Sequence, residues 1–151
     1  MNMNTSIRPY QSSDKEALLN LLRLNTPAFF SPEEEVDLVY YLDHEVEYYY
    51  VLEVNQQLVG AGGINFSGNP AIGKISWDFL HPDFQGKGLG ALLLTYRIEK
   101  LKTFAGLQKI IVRTSEQAHG FYEKSGFILL EIRKDYWAKG FDLYLMEYKD
   151  L

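Results

Sequence analysis

Apolar and polar side chains alternate over residues 6–10, which predicts a short edge strand. From Ser13 the period lengthens. Ser13-Asp14-Lys15-Glu16 has capping-box spacing, and Leu18, Leu21 and Leu22 follow at helical intervals. A second helix opens at Ser31-Pro32-Glu33-Glu34. Ser31 suits the cap, Pro32 the first turn and the acids the positive helix end, with Val36, Val39 and Leu42 marking the buried face. Residues 48–54 and 58–66 read as strands around the Asn55-Gln56 hairpin turn, and 72–80 as a third strand beyond the turn at Ser67-Gly68-Asn69-Pro70. A long helix spans 89–104, with Leu89, Leu93 and Tyr96 on one stripe and Leu94, Ile98 and Leu101 beside it. An apolar-centred strand at 109–114, a short helix at 118–124 stopped by Gly126, and strands at 127–133 and 143–148 complete the order. The expectation is an α/β domain of the α+β type. Its central sheet is mixed but mostly antiparallel, flanked by helices, with one strand-helix-strand crossover in the middle.

Composition narrows the class. A chain of 151 residues, 46% hydrophobic, suffices for one core, so residues 1–151 are expected to form a single domain. The absence of cysteine excludes disulfide scaffolds, thiolate metal sites and a cysteine nucleophile. No apolar run approaches the roughly 20 residues that span a bilayer, and residues 1–6 lack signal-peptide character, so a cytoplasmic protein is expected. A formal charge of −5 disfavours nucleic acid and favours cationic partners such as amines. His44, His81 and His119 show no ligand spacing, so no metal is expected.

Gln85-Gly86-Lys87-Gly88-Leu89-Gly90 lies between a strand and the long helix. Such a junction presents unpaired N–H groups and the positive end of the helix dipole, and glycines let an anion reach the backbone. The loop lacks the Gly-Lys-Ser/Thr ending of a nucleoside-triphosphatase loop. It also lacks the Gly-x-Gly-x-x-Gly spacing and following acid of a dinucleotide site.

The run from Asp78 to Gly90 resembles the signature of the GNAT superfamily of acetyltransferases, Gln/Arg-x-x-Gly-x-Gly/Ala after a strand, with Gln85, Gly88 and Gly90 filling it. Ala118-His119-Gly120-Phe121-Tyr122-Glu123-Lys124-Ser125-Gly126-Phe127 resembles the family's second signature, Ala-x-x-x-Tyr-x-Lys-x-Gly-Phe. The tail from Arg133 to Met146 is similar to the subgroup containing ribosomal-protein N-terminal acetyltransferases. The resemblance covers essentially the whole chain. It implies an N-acetyltransferase moving the acetyl group of acetyl-CoA directly to a primary amine of a small molecule or a peptide or protein N-terminus. It further implies a sheet that splays after the signature strand. Pantetheine amides would pair near Phe79 and Leu80, and the pyrophosphate would meet N–H groups from Gln85 through Gly86, Lys87, Gly88, Leu89 and Gly90 to Ala91. A backbone N–H near Leu80 would polarise the acetyl carbonyl. Ser115, where many relatives carry Asn, and Lys124 join the cofactor set on the same ground; Ser115 also suits a helix cap.

The resemblance places Tyr122 where the family's thiolate-protonating tyrosine stands. Neither usual base is present: Lys74 occupies the histone-type position, and the strand before the tyrosine helix reads Ile110-Ile111-Val112. Asp78 is the substitute candidate, because in a regular strand it shares a face with Lys74 and Ser76. An Asp bonded to a neighbouring loop or helix end is the other reading of the same residue. Glu116, His44 and His81 are lesser candidates, and a water chain needs no dedicated base. Acceptor contacts are expected from Phe29 in the loop after the first helix and from Tyr136 and Trp137 in a loop at 134–141, with Glu33, Glu34 and Asp135 suiting a cationic amine. Tyr136-Trp137 equally suits a dimer contact, which leaves a homodimer open. The competing functional class is a non-catalytic acyl-CoA-binding sensor on the same scaffold.

Overall fold

The computed structural model describes residues 4–151. Strand β1 (Thr5–Pro9) leads through a 3₁₀ turn at Ser12–Asp14 into helix α1 (Lys15–Leu24), and α2 (Glu34–His44) follows. Strands β2 (Tyr48–Val54), β3 (Gln57–Asn65) and β4 (Ile72–Leu80) form a meander. Helix α3 (Leu89–Leu101) crosses to β5 (Lys109–Thr114), and α4 (Glu116–Lys124) precedes β6 (Phe127–Ala138) and β7 (Phe141–Tyr148). The seven strands form one sheet in the order β1-β2-β3-β4-β5-β7-β6. Among the described residues only β4 and β5 are parallel neighbours, the pairing that a crossover helix makes possible.

Central strands are buried on both faces and need apolar side chains on each. In β2, Tyr49 and Val51 pack under α1 and α2 with Leu18, Leu22 and Leu38, while Tyr50 packs on the other face against the α3 cluster of Leu93, Leu94, Ile98 and Leu101. The second helix turns differently from its expected register. Val36 is 73% exposed, while Leu42 is buried as expected, with Leu38 and Tyr41 beside it and Val39 half-buried. Its start follows the expected cap only in part: Glu34 Oε2 accepts from Ser31 N at 2.7 Å, but the helix begins at Glu34 and no side chain caps its first N–H groups. At the start of α1 the acid that closes the turn is Asp14, not Glu16: Asp14 Oδ2 accepts from Gln11 N at 2.9 Å.

Two features shape the cleft. Pairing between β4 and β5 runs from Ile72↔Lys109 to Ile75↔Val112 and then ends. From Ser76 to Leu80, β4 pairs with β3 alone, so its other edge opens into a wedge between the strands. Within this stretch the β3–β4 register shifts between Ala61 and Gly63, and Trp77 takes φ +46°. That is a β-bulge, which lets two consecutive side chains fall on one face. Ser76 and Trp77 both point toward α2, bonding or packing with Tyr41, and Asp78 emerges on the α3 face. Asp78 therefore does not share a face with Ser76. The regular alternation assumed from the sequence breaks at the bulge.

Candidate active site

A cleft of about 1100 Å³ occupies the wedge. One rim is the loop after β4. Gly86 and Gly88 adopt φ +74° and +80°, and a Cβ on either would meet nothing within 4 Å. These glycines are needed for backbone conformation, and their faces are open to an approaching group. Helix α3 starts here, and its first regular N–H bond is Leu92 N to Gly88 O. The amides of Leu89, Gly90 and Ala91 precede that bond and sit at the positive end of the helix dipole. Gln85 Nε2 bonds Asn25 Oδ1 at 3.3 Å, and the buried Asn25 donates to Leu80 O at 2.9 Å and to Leu21 O at 3.0 Å. Asn25 thus ties α1, the end of β4 and the loop together. The junction suits an anion, and the unpaired β4 edge suits an extended chain bearing amides.

The cleft is lined by Phe79, Leu80, Gln85, Gly86, Gly88, Gly90, Ala91 and Ser115 of the expected cofactor set. Lys87 is exposed on the loop, Leu89 packs into the core with Leu52, Val54 and Val59, and Lys124 is exposed in the last turn of α4. Ser115 caps α4, its hydroxyl accepting from Ala118 N at 3.2 Å. On the acceptor side Phe29 and Trp137 line the cleft, with Phe30 stacked on Trp77 at 5.9 Å. Tyr136 and Trp137 lie on a strand rather than in a loop. Strand β6 runs to Ala138 and turns at Gly140, with Asp135 at φ +54° accepting from Gly140 N. Tyr136 stacks with Arg113 beside the cleft, and Trp137 Nε1 donates to Thr114 O at 3.3 Å. Glu34, Glu45 and Glu47 also line the cleft, as do Lys74 and Arg113.

At the floor lies a group that sequence reasoning reached only in part. Tyr122 Oη donates to Asp78 Oδ2 at 2.8 Å, and Arg97 Nη2 donates to the same oxygen at 2.6 Å. Tyr122 is 3% exposed, and both burial and the Asp78 charge push its phenol well above the usual value. Tyr122 therefore keeps its proton at neutral pH. Arg97 is fully buried. Its signal was present in the sequence as a charged residue four positions from both Leu93 and Leu101, inside a buried stripe. Nearby, Tyr41 Oη and Ser76 Oγ converge on Asn65 Oδ1, and burial pushes Tyr41 up to about 12. Asn65 Nδ2 bonds Glu47 at 3.0 Å, and Glu47 also accepts from the amides of Phe66 and Ser67. Of the other base candidates His44 lines the cleft, whereas His81 caps a 3₁₀ turn by accepting from Asp83 N. Among the described residues no group of His, Cys, Asp and Glu is arranged to hold a metal ion, and no helix is long and apolar enough to cross a membrane.

The chain is similar to known acetyltransferases in sequence and in fold. An acetyltransferase of Pectobacterium atrosepticum is 31% identical over 121 residues, covering 78% of this chain and 84% of the relative. Among solved structures, the ribosomal-protein-S18-alanine N-acetyltransferase of Escherichia coli superposes with a TM-score of 0.76 at 18% identity, covering 95% of this chain and 92% of that one. An aminoglycoside 6'-N-acetyltransferase complexed with coenzyme A has the same TM-score at 15% identity, covering 94% and 95%. Residues 16–127 match the family described as Acetyltransferase (GNAT) family. The glycine loop, the wedge and the tyrosine at its floor thus stand in an acyltransferase, and the chain belongs to the GNAT acetyltransferase family.

Proposed function

We propose that this enzyme, acting as one cytoplasmic domain, transfers the acetyl group of acetyl-CoA directly to a primary amine of a small molecule or a peptide N-terminus. The observation that carries the reading is the meeting in one cleft of a helix start suited to an anion, a proton-bearing tyrosine and an unpaired strand edge. The family uses acetyl-CoA, which supplies an activated thioester carbonyl and a thiol leaving group. The N–H groups from Gln85 to Ala91 hold its pyrophosphate. The free β4 edge near Phe79 and Leu80 receives its amide-bearing arm, and a backbone N–H there polarises the carbonyl. Tyr122 gives a proton at Oη to the departing sulfur. Asp78 takes the acceptor's proton at Oδ1, since Oδ2 is engaged by Arg97 and Tyr122. Ser115 narrows the cleft beside the arm.

The acceptor reaches the cleft from the side of Phe29 and Trp137. Three carboxylates lining the cleft, Glu34, Glu45 and Glu47, favour a cationic amine. The E. coli relative in fold acts on an alanine of ribosomal protein S18 and another on an aminoglycoside, so both chemistries belong in the test. Release of free thiol from acetyl-CoA is measured with spermidine, kanamycin and an Ala-initiated peptide. Amine-dependent thiol release is expected with at least one of them. Acetyl-CoA turnover that no amine accelerates would contradict the reading.

A further inference from the structure

We propose that Arg97 is a positioning residue whose buried guanidinium makes Asp78 and Tyr122 a two-residue proton relay, entered at Asp78 Oδ1 and left at Tyr122 Oη. The inference rests on the transfer reaction proposed above and adds to it a residue and a route. Arg97 is pinned at three points. Nε donates to Leu93 O at 3.2 Å, Nη1 to Gly63 O at 3.3 Å, and Nη2 to Asp78 Oδ2 at 2.6 Å. Sheet and helix therefore fix the fork together. The room for it comes from Gly62, where a Cβ would stand 2.6 Å from both Cζ and Nη1. Burying an ion pair in a stripe that already carries Leu93, Leu94, Ile98 and Leu101 is poorly explained by stability, because apolar residues of similar size usually serve as well or better. The pair's place is informative instead. The carboxylate it fixes lines the cleft and holds the Tyr122 phenol there.

The relay balances. The acceptor ammonium gives a proton to Asp78 Oδ1, which has no hydrogen-bond partner among the described residues. Tyr122 Oη gives its proton to the leaving sulfur, and the neutral carboxyl group, no longer an ion-pair partner of Arg97, turns about Cβ–Cγ to return the Oδ1 proton to Oη. One proton passes from nitrogen to sulfur, and the chain returns to its starting state. The fixed charge of Arg97 times the release. While Asp78 is negative, its charge helps hold the phenol proton. Once Oδ1 is protonated that charge is gone, and the remaining Arg97 charge favours release from Oη. The other titratable groups facing this site are Tyr49 from β2 and Tyr41 from α2, and burial keeps both protonated.

Arg97→Lys keeps the charge but loses the planar fork. The first readout uses tyrosine labelled with ¹³C at Cζ, with the Tyr122 signal assigned by its loss in Tyr122→Phe. The signal is expected to shift in Arg97→Lys and in Asp78→Asn, and the double variant should shift no further than Asp78→Asn alone. A Tyr122 signal that stays in place in folded Arg97→Lys overturns the proposal. The second readout is turnover of acetyl-CoA with the amine selected from spermidine, kanamycin and the Ala-initiated peptide. Arg97→Lys should lower kcat at least about tenfold with KM for acetyl-CoA unchanged within about twofold. In the Tyr122→Phe background the same substitution should cost less than about twofold. Equal losses in both backgrounds would make Arg97 merely structural and overturn the proposal. If Arg97→Lys does not fold, Gly62→Ala, which pushes the guanidinium aside and keeps both charges, takes its place in the same cycle, and equal losses with and without Tyr122 again overturn the proposal. Failure of all three amines would sink the transfer reading, while the tyrosine spectra would still decide whether Arg97 governs Tyr122.

Discussion

Tyr122, Asp78 and Arg97 share one carboxylate oxygen, and their chemistry is inseparable at this scale. Tyr122→Phe removes the Oη proton while keeping the ring against Phe121 and Phe127. Steady-state kinetics should show kcat lowered by about 10²-fold or more, the range of a lost general acid, with KM for acetyl-CoA little changed. A kcat near that of wild type would remove Tyr122 from the reaction. Because burial and Asp78 raise this phenol, its ionisation should not limit activity up to about pH 9. The raised phenols of Tyr122, Tyr49 and Tyr41 have a stability consequence of definite sign. Their contribution is fully present below the unfolded tyrosine value of about 10 and is lost as pH rises toward their folded values. Melting temperature should therefore fall above about pH 10, less steeply in Tyr122→Phe. Tyr122 and the loop glycines stood out in the sequence because motif spacing is a local signal, whereas Asp78 was singled out by a face alternation that the bulge breaks. The partner of Asp78 was not legible. Arg97 lies 19 residues away in the chain and meets Asp78 only because α3 packs across β3 and β4.

At the scale of elements, the bulge in β4 matters most. It reverses the strand's facing after Trp77, and Tyr49 Oη satisfies the carbonyl of Trp77 at 2.8 Å. No sequence period announces such a reversal, so a face assignment carried from Lys74 through Ser76 to Asp78 fails there. The counterpart on β3 is Gly62, which makes room for Arg97. Gly62→Ala should displace the guanidinium at a cost of about 1–3 kcal/mol in urea unfolding, with a fall in kcat. A variant of wild-type stability and activity would show that the fork is not fixed as described. The β6–β7 hairpin was legible as two strands but was read too short. Its Lys-Gly turn is compact, and the bulge at Asp135 carries Tyr136 and Trp137 as strand residues beside Arg113.

For the molecule as a whole, the order of strands and helices was readable from hydrophobic period and turn residues. The sheet order was not, and the wedge was reached only through the family resemblance, because hydrophobic period and turn residues do not show where β4 stops pairing with β5. One tie helps anchor the edge of the sheet to α1. Arg8 holds both oxygens of Asp14 at 2.9 Å and keeps that carboxyl below its ordinary value. This contribution is present above the unfolded carboxyl value of about 4 and is lost as pH falls through the lower folded value. Asp14→Asn should destabilise the protein by about 1–3 kcal/mol at pH 7, and the gap to wild type should close in acid. A gap independent of pH would place the cost elsewhere. The central claim is that one cleft binds acetyl-CoA through the start of α3. Calorimetric titration of acetyl-CoA into wild type and Gly88→Glu, with folding checked by circular dichroism, tests it most directly. The account predicts tight binding by wild type that is lost in the folded variant, because an acid at this open, left-handed position repels the pyrophosphate. No binding by wild type, or equal binding by both proteins, would contradict it.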